Sequence, residues 1–136
     1  MFGQLVPDRT KYKHGGRNML YPIGIQSFEK IRTGGFVYVD KTALIYRLSA
    51  SGQYYFLSRP RRFGKSLLVS TMEAYFSGRK ELFEGLAMES LEKDWTEYPV
   101  LHLDLTGSSY TDISQLKISL DQHLRKWESL YDVIPV

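Results

Sequence analysis

The chain has 136 residues, room for one ordinary domain and not for two; its 43% hydrophobic and 24% charged content excludes a disordered tail. It has no cysteine, which excludes disulfides and thiolate metal sites, no apolar run as long as a membrane span, and no signal-peptide core in Met1 to Arg17, so a cytoplasmic protein is expected. The net charge of +3 hides an asymmetry: 12 Lys/Arg against 3 Asp/Glu in residues 1–65, and 6 against 12 in residues 66–136. A basic half of this kind attracts phosphate, as nucleotide or as nucleic-acid backbone, and a solvated basic surface has the same composition.

Residues 1–21, with Gly3, Pro7, Gly15 and Gly16 and no clear period, read as an irregular lead-in. Residues 22–136 read as the ordered part. Ser27 is placed to cap a short helix through Ile31, its hydroxyl accepting a free N–H, and Gly34-Gly35 ends that helix. Phe36–Val39 is β-branched and aromatic and predicts a short strand or extended segment. Asp40 or Thr42 then caps a helix to about Ala50, with Leu44, Ile45 and Leu48 on one face and Gly52 past its end.

Tyr54–Ser58 predicts a strand. After a basic loop, Leu68, Met72, Tyr75 and Phe76 recur at helical spacing and predict an apolar stripe that packs on a sheet, with Gly78 as the stop. Glu81-Leu82-Phe83 begins a short helix interrupted by Gly85, and Leu91 to Trp95 suggests one more turn. Val100–Leu105 is a second apolar strand, and Thr111 and Asp112 start a last helix with Ile113, Leu116, Leu120, Leu124 and Trp127 on one face. Strand, helix, helix, strand, helix is α/β order, so a mainly parallel sheet with flanking helices is expected.

The loop between strand and helix reads Ser58-Arg59-Pro60-Arg61-Arg62-Phe63-Gly64-Lys65-Ser66. In a phosphate-binding loop of this kind, backbone N–H groups and a helix N-terminus face the phosphates, Lys65 reaches the β/γ-phosphates and the Ser66 hydroxyl ligates Mg²⁺. The full pattern G-x-x-x-x-G-K-[ST] asks for glycine where Arg59 stands, and Pro60 supplies no N–H. An ordinary basic turn is the alternative reading of the same residues.

Four ordered blocks resemble one family: Pro22-Ile23-Gly24-Ile25-Gln26-Ser27-Phe28, Tyr38-Val39-Asp40-Lys41-Thr42, Phe56 to Ser66, and Tyr98-Pro99-Val100-Leu101-His102-Leu103-Asp104. Together they resemble the N-terminal part of the AAA-ATPase-like family, bacterial P-loop proteins often fused to a domain similar to PD-(D/E)XK nucleases. The resemblance covers about residues 22–130 and makes Arg59 a family trait. It implies an incomplete P-loop NTPase-like fold, ATP and Mg²⁺ as cofactors, and contacts from Arg61, Arg62, Phe63, Gly64, Lys65 and Ser66. It also sets Tyr38 and Asp40 beside the adenine pocket. It implies, further, that the strand with the acidic Walker B pair belongs to a later part of a longer protein, whose remainder or nuclease-like domain would be a partner.

Each residue has a plain alternative. Asp104 ends an apolar strand and reads as a strand-end or turn residue beside its reading as a metal-site acid. Asp40 also reads as a helix cap, Arg61 and Arg62 as solvated charges, and Trp95 and Trp127 as core or rim. The expected function is ATP binding through a Walker A-like loop, with hydrolysis left open because the Walker B acids have no counterpart here. The alternatives are a nucleic-acid-binding or protein-interaction module built on the basic half, and a truncated product without independent function.

Overall fold

In the computed structural model, which describes residues 11–14, 17–106 and 112–132, two short strands come first. β1 (Lys11–His14) and β2 (Arg17–Leu20) pair antiparallel, Lys11 opposite Leu20 and His14 opposite Arg17. They lie within the stretch expected to be an irregular lead-in. Leu20 also forms a single parallel bridge with Phe36, and its carbonyl accepts from Val37 N–H at 2.8 Å.

Ser27 caps α1 (Phe28–Thr33) as expected, its Oγ accepting from Lys30 N–H at 3.3 Å. The N–H of Gly34 closes the helix on the Lys30 carbonyl, and Gly35 turns away at a φ of +65°. α2 spans Thr42–Ser51, with Lys41 at the N-cap position where Asp40 or Thr42 was expected, and α3 spans Lys65–Phe76. A 3-10 turn at Lys80–Phe83 and the five-residue α4 (Ala87–Leu91) follow. α5 (Ile113–Tyr131) is the longest element among the described residues, with Asp112 at its N-cap; Thr111, the other expected starter, lies outside the described residues. The turn expected over Leu91 to Trp95 does not form as a helix beyond Leu91.

Contacts divide the chain into two units, Met1–Tyr98 and Pro99–Val136. In the first, Phe28, Ile45, Ala74, Leu82, Phe83 and Met88 form the buried core, with Tyr38, Leu67, Leu68, Met72, Tyr75 and Trp95 packed on it. Phe28 and Phe83 are fully buried with ring centroids 4.9 Å apart, and each buried ring contributes about 1.5–3 kcal/mol. α3 packs on α1, and Thr71 and Ala74 are its most buried residues. Its expected stripe therefore faces helices, centred between the large residues that spacing had singled out. Arg32 ties α1 to the 3-10 turn by donating from Nε to the Leu82 carbonyl at 2.7 Å and from Nη2 to that of Glu84. Burial first, and then its donation to the Glu92 carboxylate, push the Tyr75 phenol up to about 12.

In the second unit Tyr131 fastens the Pro99–Leu105 segment, which has no regular secondary structure, to the end of α5. Its hydroxyl accepts from Val100 N–H at 2.7 Å and donates to the Val100 carbonyl at 3.0 Å. α5 has no fully buried residue. Leu116, Leu120, His123, Trp127 and Tyr131 are half-buried along one side, while Ile113 and Leu124 of the expected face are exposed.

The expected α/β fold with a mainly parallel sheet is not what the chain forms. Among the described residues the one sheet is the antiparallel β1–β2 pair, and the rest of the ordered structure is helical. Tyr54–Ser58 and Val100–Leu105 run without strand pairing. Aromatic and β-branched residues favour a pleated, half-buried surface, but a strand exists only where another strand takes its N–H and C=O groups. No described segment does so here, and Tyr54 and Phe56 stand 92% and 93% exposed.

Candidate functional site

The basic loop lies on the surface of the first unit. Every residue from Ser58 to Gly64 is exposed, as is Ser66, and Lys65 is half-buried. The turn is made by two left-handed residues, Arg62 at a φ of +67° and Gly64 at +75°, with Phe63 between them. Gly64 is the N-cap of α3, and its carbonyl takes the first helical hydrogen bond, from Leu68 N–H at 2.9 Å. A Cβ on Gly64 would meet nothing within 4 Å, so glycine serves the backbone angle there and space is open beside it. The first-turn N–H groups of α3 have no intrahelical acceptor, which gives this end partial positive charge.

Lys65 folds back over the loop. Its Nζ donates to the carbonyl of Arg59 at 2.5 Å and of Pro60 at 3.1 Å. Arg59 stands where the pattern asks for glycine and Pro60 lacks an N–H, and the structure uses their carbonyls, which any residue supplies. Sequence reasoning missed this because it weighed side chains and N–H groups only. Arg59, Arg61 and Arg62 form no ion pair among the described residues. Arg59, Arg61, Arg62 and Lys65 give this exposed stretch beside the start of α3 a local excess of positive charge, which attracts anions.

Tyr38 and Asp40 are engaged elsewhere. The Tyr38 ring lies edge-on to Phe28 at 5.2 Å, and burial, opposed but not cancelled by its hydrogen bond with Thr71, leaves its phenol above the ordinary value. Asp40 joins two helix starts. Its Oδ1 accepts from Thr42 N–H at 2.8 Å and Thr42 Oγ1 at 2.7 Å, and its Oδ2 accepts from Ala87 N–H at 2.7 Å. The fully buried Thr42 hydroxyl then accepts from Met88 N–H at 3.0 Å. Burial pushes the Asp40 carboxyl up, but these hydrogen bonds from Ala87 and Thr42 outweigh it and hold it below its ordinary value. No hydrogen bond or ring contact joins Tyr38 or Asp40 to residues 58–64 among the described residues.

Asp104 closes its own turn, accepting from Thr106 N–H at 2.8 Å and Thr106 Oγ1 at 2.6 Å. Those bonds hold its carboxyl below the usual value. It sits in no cluster of three metal-ligating side chains, and the described residues contain none. No helix among them is long and apolar enough to cross a membrane.

A small helical unit carrying an exposed Gly-Lys-Ser turn at a helix start is the class of protein that this geometry defines. The chain belongs to the AAA-ATPase-like family described as predicted AAA-ATPase, whose pattern it matches over residues 22–136. It is also similar to an uncharacterized protein in the vnfD 5′ region of Azotobacter chroococcum mcd 1, 46% identical over 98 residues. That match takes in 71% of this chain and 19% of the relative, so the chain spans about a fifth of the curated relative it matches. No solved structure matches.

Proposed function

We propose that the chain binds ATP with Mg²⁺ through the loop Arg61–Ser66. The observation that carries this is Lys65: its ammonium is already held over the loop, on the Arg59 and Pro60 carbonyls, beside the open left-handed turn at Gly64. Membership of a predicted AAA-ATPase family supports the same ligand. In this reading Lys65 meets the terminal phosphates, the N–H groups at the start of α3 meet the phosphate oxygens, and the Ser66 hydroxyl ligates the metal. Bound Mg²⁺ would neutralise charge on the phosphates. Tyr38 and Asp40 are left out of the proposal, because their contacts support helix capping and core packing. Asp104 is left out because its hydrogen bonds are spent on its own turn. The reading stops at binding: the residues it names hold phosphate, and none of them orients an attacking water.

Calorimetric titration of ATP·Mg²⁺ into the wild type and Lys65→Ala tests this. A charge-assisted contact is worth about 1.5–3 kcal/mol, so the substitution should weaken binding roughly tenfold to a hundredfold. Equal affinities, or no binding by the folded wild type, would sink the proposal. Binding of a polyanion that weakens steeply with salt, and equally for Lys65→Ala, Arg61→Ala and Arg62→Ala, would favour the nucleic-acid reading instead.

A further inference from the structure

Residues 92–95 close a turn around one carboxylate. Glu92 is the C-cap of α4, its N–H donating to the Met88 carbonyl at 2.8 Å. Its Oε1 accepts from the N–H groups of Lys93 at 2.8 Å and Asp94 at 3.0 Å, and its Oε2 accepts from the Tyr75 hydroxyl of α3. The turn delivers Trp95 to the core with a left-handed backbone at a φ of +45°, where a Cβ crowds the carbonyl oxygen and a bulky residue is an outlier. The indole packs on Phe83 at 5.2 Å and Tyr75 at 6.0 Å. Its Nε1 is buried, and among the described residues it has no acceptor. A strained backbone and a buried, unpaired donor both work against the placement, and no hydrogen bond of the indole offsets them. What holds Trp95 in is its ring packing and the turn that Glu92 ties.

We propose that residues 92–98 form a latch with the Glu92 carboxylate as its catch: ionised, it holds the indole of Trp95 in the core, and once neutral it lets the indole and the strap behind it come away while the helices stay folded. This inference is independent of the nucleotide reading above. The strap runs through Tyr98, whose N–H donates to the Phe76 carbonyl at 2.7 Å, to Pro99, where the second unit begins. An ionised carboxylate only accepts hydrogen bonds and so serves all these donors at once; a protonated one carries an O–H that competes with them. The groups around the catch leave it in control. Tyr75, from α3, has its phenol pushed up to about 12 by burial and then by its bond to Glu92, so it stays a donor; Tyr46, from α2, acts on that phenol in the same direction. Lys93 turns its Nζ to the Ser90 carbonyl at 2.9 Å, and Asp94 is exposed. The hydrogen bond from Tyr75, and then that from Asp94 N–H, hold the Glu92 carboxyl below its ordinary value near 4.5. The latch is therefore shut above that value and opens as pH falls through the lower folded one.

The test uses the whole 136-residue chain carrying Trp127→Phe, so that Trp95 is its one indole. Emission wavelength and acrylamide quenching follow that indole, and far-UV circular dichroism follows the helices. From neutral pH into acid, the emission should move to longer wavelength and the quenching rise before the helical signal falls. Glu92→Gln should show the released emission already at neutral pH with its helices intact. Glu89→Gln, whose carboxylate takes the Gly85 N–H instead, should not. Tyr75→Phe keeps the ring and removes one donor to the catch, so its release should come at a higher pH than in the parent chain. Emission that changes in acid only together with the helical signal would overturn the latch. So would released emission in Glu89→Gln, or parent-like emission in a folded Glu92→Gln. If Glu92→Gln fails to fold at neutral pH, Tyr75→Phe decides: a raised release pH supports the latch, and an unmoved one overturns it.

Discussion

Asp40 shows how one carboxylate can organise a small domain. Its two oxygens satisfy N–H groups at the starts of both α2 and α4, and Thr42 carries the same link one residue deeper. Replacing a capping aspartate costs about 0.5–2 kcal/mol, and here two helices lose a partner, so Asp40→Ala should fall at the upper end of that range. The linkage has a definite sign. The carboxyl is held below its unfolded value, so its contribution is fully present above that value, near 3.8, and is lost as pH falls through the lower folded one. The difference in melting temperature between wild type and Asp40→Ala should be constant around neutrality and shrink below about pH 4. A difference that persists undiminished into strong acid would mean that the neutral side chain, not its charge, holds the helices.

Among the elements, α3 gives the clearest test of how sequence sets a boundary. The helix stops at Phe76, and Gly78 follows at a φ of +67° with Trp95 and Glu97 close against it. A Cβ there would lie 2.5 Å from the Glu97 Cγ and 3.2 Å from the Trp95 carbonyl oxygen. The side chain can swing away; the carbonyl is backbone and cannot move cheaply. Gly78→Ala thus combines left-handed strain with crowding, and should destabilise the first unit by about 1–3 kcal/mol in urea unfolding. A loss below about 0.5 kcal/mol would show that the segment from Trp95 to Tyr98 shifts freely. Tyr98 N–H donates to the Phe76 carbonyl at 2.7 Å and ties that segment to the helix end, which argues against such freedom.

At the scale of the molecule, the exposed extended segments dominate expected behaviour. In the first unit Tyr54 and Phe56 present almost their whole side chains to water on a backbone that no strand pairs among the described residues. In the second, Leu101, Leu103 and Leu105 are exposed along the segment that Tyr131 anchors at Val100. Unpaired extended backbone with apolar side chains is a template for association. Sedimentation velocity on the purified chain at about 10–100 μM should therefore show concentration-dependent self-association, weakened by Phe56→Lys. A monodisperse monomer with a cooperative transition above about 60 °C, the upper part of the mesophile range, would show that these segments are innocuous.

What the sequence determined by itself was local. Ser27, Gly34-Gly35, Gly78 and Asp112 mark helix ends because capping and left-handed turns depend on a few neighbouring residues. The loop from Ser58 to Ser66 was legible for the same reason, as a turn that opens the helix at Lys65. What only the tertiary structure decided was which segments meet. The apolar runs at Tyr54–Ser58 and Val100–Leu105 carry strand-like composition, yet pairing needs a partner backbone that composition cannot specify, and none of the described segments supplies one. Likewise Asp40 could be assigned to a cap or to a ligand pocket from its neighbours alone; its bond to Ala87, 47 residues away, came only with the fold. Hydrogen bonds to the nearest turn are written into sequence spacing, whereas those between distant segments depend on how the whole chain packs.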